Sequence, residues 1–322
     1  MTAPAASTER RTLLAARLWL AIAVPASVAT VLGFLGHWSW ALDLISHFRA
    51  QYAVLLVLSA AALLLARQPR AAALAALFAA VNVVTIAPLY VPAGPPQVDA
   101  RVYRLVFTNV NKYNERESDV VAFVRSAGAD FVLAAEVTPR WASALEPLKA
   151  EFATVATLAR EDYWGKALLS RFAPSEVTLH ELPSGDYPAL VAQFDLDGRA
   201  LTLVAGHPIA PVNSYAWADR NAILADLAAY AARLPGPRLV CGDLNLSPWS
   251  PFFDDFLQDS ALRDARRGFG LQTTWPAGSL PLRVPLDHCL ASPEISIHDF
   301  HAGPALGSDH LPIVVDFSIA GP

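Results

Sequence analysis

Residues 18–36 run about nineteen positions without a charge, and no other feature narrows so much what this chain can fold into. A segment of that length crosses the ~30 Å hydrocarbon core of a bilayer as an α-helix, and inside lipid only helices and closed barrels satisfy their own backbone. Pro25 would kink such a helix without forbidding it. Arg10, Arg11 and Arg17 precede it, a pattern shared with a cleaved signal peptide. Two more apolar segments, residues 50–66 and 71–91, argue for an anchor instead. Arg67-Gln68-Pro69-Arg70 separates them as a tight turn, and Trp19, Trp38, Trp40, Tyr52 and Tyr90 fall near segment ends, where amphipathic rings prefer to sit. The expected order is a tail over 1–17, transmembrane helices at about 18–36, 50–66 and 71–91, a proline-rich linker over 92–100 and a globular domain over 101–322.

Charge follows the same division. The first 91 residues carry six Arg against Glu9 and Asp43, a net of +4, and the remainder nets −9. Five of the six Arg lie in the tail and the 67–70 turn, which the positive-inside rule puts in the cytoplasm. Three crossings then deliver the C-terminal domain to the outer face of a cell membrane, bacterial by its Arg-rich, Lys-poor composition. The second span is short and holds Gln51, so the sidedness rests on it. An acidic domain is repelled by a phosphate backbone, which argues against a nucleic acid as the preferred substrate.

Cys241 and Cys289 are the only cysteines. Each sits in an apolar strand, and small buried thiols are common, so free core cysteines are expected, with a disulfide as the alternative for an exported domain. Their spacing suits no metal site.

Within the globular part, residues 101–108 alternate as a strand ending at Asn109-Val110-Asn111. Helical spacing over 118–127, with Ser118 or Asp119 as cap and Gly128 as stop, precedes a buried strand over 131–135 that ends in Glu136. Residues 141–152 look helical and 165–171 form a strand. Residues 190–196 and 200–205 make a hairpin around Asp197-Gly198 that ends at Gly206-His207. An amphipathic helix over 214–234 turns Ile223, Leu224 and Leu227 inward. A strand over 238–241 leads into Gly242-Asp243-Leu244-Asn245, one over 286–290 opens on Asp287-His288, and Gly307-Ser308-Asp309-His310 opens the last. Each polar residue alone admits a structural role. Together they sit at strand ends, where one rim of a mixed α/β sandwich could gather them.

That order of motifs resembles the endonuclease/exonuclease/phosphatase superfamily, the DNase I-like metallophosphoesterases, over roughly residues 101–318. Thr108-Asn109, Ala135-Glu136-Val137, the G-x-A-x-x-S-R segment at 165–171, Gly206-His207, Gly242 to Asn245, Asp287-His288 and Ser308-Asp309-His310 all fall in family order. The resemblance implies a four-layer α-β-β-α sandwich behind an all-α transmembrane anchor of about three helices. It implies a Mg²⁺ site, with Mn²⁺ as a substitute, on Glu136 and Asn109 with Asp309 as a further ligand, since carboxylate and amide oxygens suit these ions. His310, held by Asp287, would act as base or phosphate contact; Asp243 would orient or deprotonate water; Asn245 and His207 would bond phosphoryl oxygens. Which of Asp243 and His310 takes the proton stays open. Trp164, Lys166, Tyr215, Trp249, Trp275 and Arg283 lie beside these motifs as a substrate lip. The long basic loops with which nucleases of the superfamily grip DNA are missing, and the Arg263–Arg267 stretch reads as a solvated helix face.

With its anchor, the chain looks like the membrane-bound branch that includes VanJ-type glycopeptide-resistance proteins. The resemblance implies an envelope phosphatase acting on a lipid-linked phosphate or pyrophosphate. An extracytoplasmic nuclease, a sphingomyelinase-like phospholipase C and a binding domain without catalysis are the alternatives.

Overall fold

Several buried strands of the globular part end or begin at or beside a polar residue, among them Asn109, Glu136, His207, Asp243 and Asp287, and the tertiary fold brings those ends together. The structure is a computed structural model and describes residues 3–92 and 101–320; the 92–100 linker lies, from residue 93 on, outside the described residues. The chain divides into two compact units, a helical one up to Pro88 joined by Trp249–Pro251, and a second one that includes Leu89–Pro248 and the chain from Phe252 on.

In the helical unit α1 (Ala3–Leu32) continues the tail and the first apolar segment as one 30-residue helix. A 3₁₀ segment follows, then α2 (Trp40–Ser46), α3 (Arg49–Leu65) and α4 (Pro69–Ile86). Thr12–Trp38 and Pro69–Tyr90 are each long and apolar enough to cross a membrane; a third crossing arises only if α2 and α3, bent by 64° at their junction, form one span. Small residues dominate the helix contacts, with Ala23, Ala26, Ala75 and Ala79 around Leu56, because they let backbones approach closely. Asn82 Nδ2 donates to Thr30 Oγ1 at 2.8 Å, and Arg49 Nη1 to the Thr30 carbonyl at 2.6 Å. The lone Arg between the first two apolar segments thus caps the C-terminal turn of α1, where a cation is favoured.

The second unit contains two six-stranded mixed sheets. In chain order the strands are β1 (Tyr103–Asn109), β2 (Phe131–Ala135), β3 (Thr154–Leu158), β4 (Lys166–Ser170), β5 (Glu176–Leu182), β6 (Gly185–Asp195), β7 (Ala200–Gly206), β8 (Arg238–Asp243), β9 (Arg263–Asp264), β10 (Asp287–Ala291), β11 (Ile295–Ala302) and β12 (Ile313–Ile319). One sheet has the order β11-β12-β1-β2-β4-β3 and the other β5-β6-β7-β8-β10-β9. Their inner faces form one core, with Leu105, Phe107, Phe131 and Leu133 against Leu190, Phe194, Leu203 and Leu239. Burying each such side chain is worth about 1.5–3 kcal/mol relative to exposure. On the outside, α5 (Glu117–Ala127) and α6 (Pro139–Leu145) cover the first sheet through Val120, Val124 and Trp141. The helices α7 (Ser214–Arg233) and α8 (Pro251–Ser260) cover the second through Ile223, Leu227, Phe253 and Phe256. This is the expected four-layer α-β-β-α sandwich.

Three local expectations change. The helix expected over 141–152 starts at Pro139 and ends at Leu145, and a 3₁₀ turn carries Pro147. The Arg263–Arg267 stretch is not a solvated helix face: Arg263 and Asp264 form β9, and Arg266 is fully buried. The cysteines are not free. They are cross-strand partners on β8 and β10, Cα atoms 4.1 Å apart, and form a disulfide. Sequence spacing hid this, because only antiparallel register puts the two residues opposite each other.

The disulfide closes a loop 48 residues long. Replacing both cysteines by alanine should lower the unfolding free energy by about 2–4 kcal/mol, and a reductant should lower the wild-type urea midpoint likewise. A midpoint indifferent to reductant would mean that the bond is not formed.

Candidate active site

The strand directions explain why one end of the sandwich collects the motif residues. Asn109, Glu136, His207 and Asp243 sit at or just past the C-terminal ends of β1, β2, β7 and β8, two parallel pairs. Asp287 opens β10 and His310 immediately precedes β12, both antiparallel to their neighbours, so their N-terminal ends reach the same rim. The glycines in the motifs are steric. A Cβ at Gly242 would lie 2.0 Å from the Gly206 carbonyl oxygen, and one at Gly165 2.0 Å from that of Val137.

Glu136 leaves β2 at φ +62°, a conformation that non-glycine residues adopt rarely and mostly where function demands it. The turn aims its carboxylate at Asn109, whose Nδ2 donates to Glu136 Oε1 at 2.9 Å and to Asp243 Oδ2 at 3.2 Å. The Lys112 amide donates to Glu136 Oε2 at 3.0 Å. His207 Nε2 lies 3.7 Å from Glu136 Oε1, an ionic contact too long for a hydrogen bond. Burial alone would raise the Glu136 pKa, but His207, Asn109 and the Lys112 amide outweigh it and hold it below the usual carboxylate range.

The second half of the site is a buried relay. His310 Nδ1 and Asp287 Oδ2 are 2.8 Å apart, and His310 Nε2 lies 3.4 Å from Asp243 Oδ2. Asp287 is fully buried, and its Oδ1 has no hydrogen-bond partner among the described residues. Burial disfavours the His310 cation, yet the charges of Asp287 and Asp243 prevail and push its pKa up to about 10. Burial raises Asp243. For His207 burial works downward, but Glu136 and Asp243 raise it on balance. The Asn245 backbone amide donates to Asp243 Oδ1 at 3.0 Å, whereas its side-chain Nδ2 donates to the Pro208 carbonyl. One side-chain N–H of Asn245 is therefore committed to the protein, away from the phosphoryl contact expected of it.

Sequence reasoning missed the residues that hold this relay. Thr274 Oγ1 accepts from the Leu286 and Asp287 amides, both at 3.3 Å. Arg266 Nη2 donates to the Asp287 carbonyl at 2.6 Å, and its Nη1 meets His288 Nδ1 at 3.2 Å. Ser308 Oγ donates to the Asn109 carbonyl and accepts from the His310 amide, joining the two halves. No sequence spacing points to Thr274 or Arg266, whose partners lie 12 to 22 residues away, whereas Ser308 belongs to the Ser308-Asp309-His310 motif.

The remaining expected residues disperse. Asp309 is exposed and bonded to Asn111 Nδ2 at 2.6 Å and Trp275 Nε1 at 3.1 Å, and its hydrogen bonds do not reach Glu136 or Asn109. Lys166 is buried at 1 % exposure instead of standing on a lip; its ammonium donates to the Trp164 carbonyl, and burial lowers its pKa to about 7. Trp164 packs edge-on to Tyr187 and 5.6 Å from the His207 ring. Trp275 and Tyr215 are exposed, Arg283 braces its own loop by donating to the Ala277 carbonyl, and Trp249 groups with the helical unit.

Oxygen donors define what cation this rim accepts. Glu136 is the most open carboxylate of the cluster and lies against the Asn109 amide, a pairing that fits a hard divalent ion. Asp243, Asp287 and His310 form a second group whose ligand atoms lie within 4.8 Å of one another, so a buried metal is geometrically possible there too.

A phosphoesterase-like fold is what this sandwich defines. Residues 106–310 match the model of the Endonuclease/Exonuclease/phosphatase family, well over half of the chain, and the protein belongs to that family. Its members are hydrolases that generally depend on a divalent metal. The fold is shared with a humanized TDP2 of D. rerio (15 % identity, TM-score 0.57, 67 % of this chain and 99 % of that one). It is shared also with endonuclease/exonuclease/phosphatase proteins of Bacteroides vulgatus (18 %, 0.57, 68 % and 99 %) and Beutenbergia cavernae (19 %, 0.54, 69 % and 72 %). No curated protein matches the chain.

Proposed function

We propose that this protein is a membrane-anchored, Mg²⁺-dependent phosphohydrolase acting on a lipid-linked phosphate or pyrophosphate at the outer face of the membrane. The observation that carries it is a phosphoesterase rim with a buried Asp287–His310–Asp243 relay on a chain that also has two or three helices apolar enough to span a bilayer. A substrate that is itself in the membrane gives such an anchor a purpose. The Cys241–Cys289 disulfide supports the outer face, since structural disulfides persist in oxidising compartments. The acidic domain supports a small phosphate ester over a polynucleotide.

Glu136 with Asn109 would hold Mg²⁺ or Mn²⁺, which when bound neutralises charge developing on phosphoryl oxygens. Asp243, fixed by the Asn245 amide and the Asn109 side chain, orients the attacking water and accepts its proton. His310 carries a proton at neutral pH and so serves as a cationic donor to the phosphoryl group, with Asp287 keeping Nδ1 occupied and Nε2 turned toward Asp243 and the site. His207, beside both Glu136 and Asp243, is placed to contact the same group.

The test is phosphate release by the full chain in detergent from polyprenyl pyrophosphate and phosphatidate, with Glu136→Ala as control. Equal inactivity of the two proteins would sink the reading, and nicking of plasmid DNA by the wild type alone would replace it with a nuclease. EDTA should reduce phosphate release to the level of the Glu136→Ala control, and added Mg²⁺ or Mn²⁺ should restore it while Ca²⁺ restores less, because Ca²⁺ prefers more ligands at longer distance. Recovery without any added ion would contradict a dissociable metal.

A further inference from the structure

The β8/β10 ladder carries both the disulfide and the two aspartates of the relay. In its antiparallel register Asp287 stands opposite Asp243, His288 opposite Gly242 and Cys289 opposite Cys241. Side chains alternate across a strand, so the disulfide and the Asp243–Asp287 pair share one face and are neighbours along it. That face is the inner one, since both cysteines belong to the core between the sheets. The Leu244 amide donates to the Leu286 carbonyl at 3.0 Å, which makes Leu244 and Leu286 a hydrogen-bonded pair. By the alternation of antiparallel ladders, Asp243–Asp287 and Cys241–Cys289 are then both narrow, non-hydrogen-bonded pairs, whose side chains stand closest.

Two carboxylates directly opposite each other on a ladder push the strands apart. Here they also stand where the ladder is weakest, because Asp243 ends β8 and Asp287 opens β10. On its outer side β10 pairs with β9 only at Leu290 and Ala291. Nearer the rim single bonds take over, from the Ala265 amide to the Cys289 carbonyl at 3.0 Å and from Arg266 to the Asp287 carbonyl. A strand end held in this way opens locally at little cost unless something fixes it. His310 arrives from the opposite sheet and needs both carboxylates at once, with Nδ1 2.8 Å from Asp287 Oδ2 and Nε2 3.4 Å from Asp243 Oδ2. An imidazole has a fixed width, so a widening of the aspartate pair breaks one of these contacts.

We propose that the Cys241–Cys289 disulfide is a positioning element for the hydrolysis: it clamps β8 to β10 beside the rim, so that Asp243 and Asp287 keep the separation that His310 bridges. The proposal rests on the phosphohydrolase reading for the reaction and on the ladder alone for the geometry. The sulfurs lie in the core between the sheets and act through the two aspartates, one pair further along each strand. Full turnover then requires the oxidised protein, which distinguishes this bond from one that adds only stability.

The test compares three forms of the full chain in detergent, well below the wild-type unfolding midpoint: oxidised wild type, wild type reduced by a phosphine, and Cys241→Ala/Cys289→Ala. Phosphate release from polyprenyl pyrophosphate and phosphatidate gives kcat and KM. Positioning predicts a kcat lower by about tenfold or more in both altered forms, because small misplacements of reacting groups are costly, with KM within about twofold. Reoxidation should restore kcat in the reduced wild type. An unchanged kcat in a folded protein without the bond would overturn the proposal. So would unfolding on reduction, which would make the bond a requirement of the fold. Amide hydrogen exchange on the same samples needs no activity. Loss of the bond should speed exchange at Leu244 about tenfold more than at Val110, whose amide donates to the Ala135 carbonyl in the other sheet. Equal acceleration at the two amides would mean general destabilisation and no clamp. Selective loosening at Leu244 in a chain that releases no phosphate would uphold the clamp and defeat the phosphohydrolase reading.

Discussion

Glu136→Gln should cost on the order of 10²–10³-fold in phosphate release, the scale at which single preorganised charge-stabilising groups act. The variant keeps the size of the side chain but only one acceptor oxygen, so one of the two donors, Asn109 Nδ2 or the Lys112 amide, loses its partner. What it removes is the negative charge that a divalent ion needs, and the ion's apparent affinity should fall in parallel. Glu136→Gly separates chemistry from folding more sharply. The backbone at 136 has φ +62°, which glycine adopts freely, so this variant should lose activity as fully while its unfolding midpoint stays within about 1 kcal/mol of wild type or rises. Retained activity with either side chain would remove Glu136 from the metal site. Both measurements need only a phosphate assay and a denaturation curve in the same detergent.

Asp287→Asn should lower the rate by about 10²–10⁴-fold, the range seen when the partner orienting a catalytic histidine is neutralised. Its second signature is a change in pH dependence. Burial would make the His310 ring neutral, and the charges of Asp287 and Asp243 reverse that, raising its pKa to about 10. If the cation is the working form, wild-type activity holds through neutral pH and falls as pH rises through about 10; without Asp287 the fall should begin nearer neutrality. The same shift bears on stability. The folded pKa exceeds the unfolded value of about 6.5, so the stabilisation is full below about 6.5 and is lost as pH rises toward 10. A variant with unchanged alkaline behaviour would show that Asp287 does not govern the His310 proton.

Much of the sandwich was legible in the sequence, and what was not has one cause. The inner strands β1, β2, β4, β7, β8 and β10 are buried along nearly their whole length and read as apolar runs between turn residues. The strands that escaped notice, β3, β5, β9 and β11, are the four edges of the two sheets. An edge strand is half solvated, so β5 (Glu176–Leu182) alternates charge with apolar groups and carries no run to detect. The site divides similarly. Asn109, Glu136, His207, Asp243, Asp287 and His310, which the fold gathers at one rim, stood out because each lies at the end or the start of a detectable strand. Thr274 and Arg266 did not, because what they hold lies 13 and 21 residues away in sequence.

By itself the sequence determined three apolar segments at the N-terminal end, the order of the buried strands, the alternation that separates inner from outer sheet faces, and the chemistry available at each strand end. Periodicity encodes burial, and burial of local segments needs no knowledge of partners. Tertiary structure alone decided which atoms meet. Antiparallel register joined Cys241 to Cys289, Asn111 and Trp275 drew Asp309 to the outside, the space between the sheets took in Lys166, and Asp287 and Asp243 closed on His310 from two strands. Pairing across tens to hundreds of residues depends on the register of whole sheets, and a shift of one residue would turn each of these side chains to the opposite face.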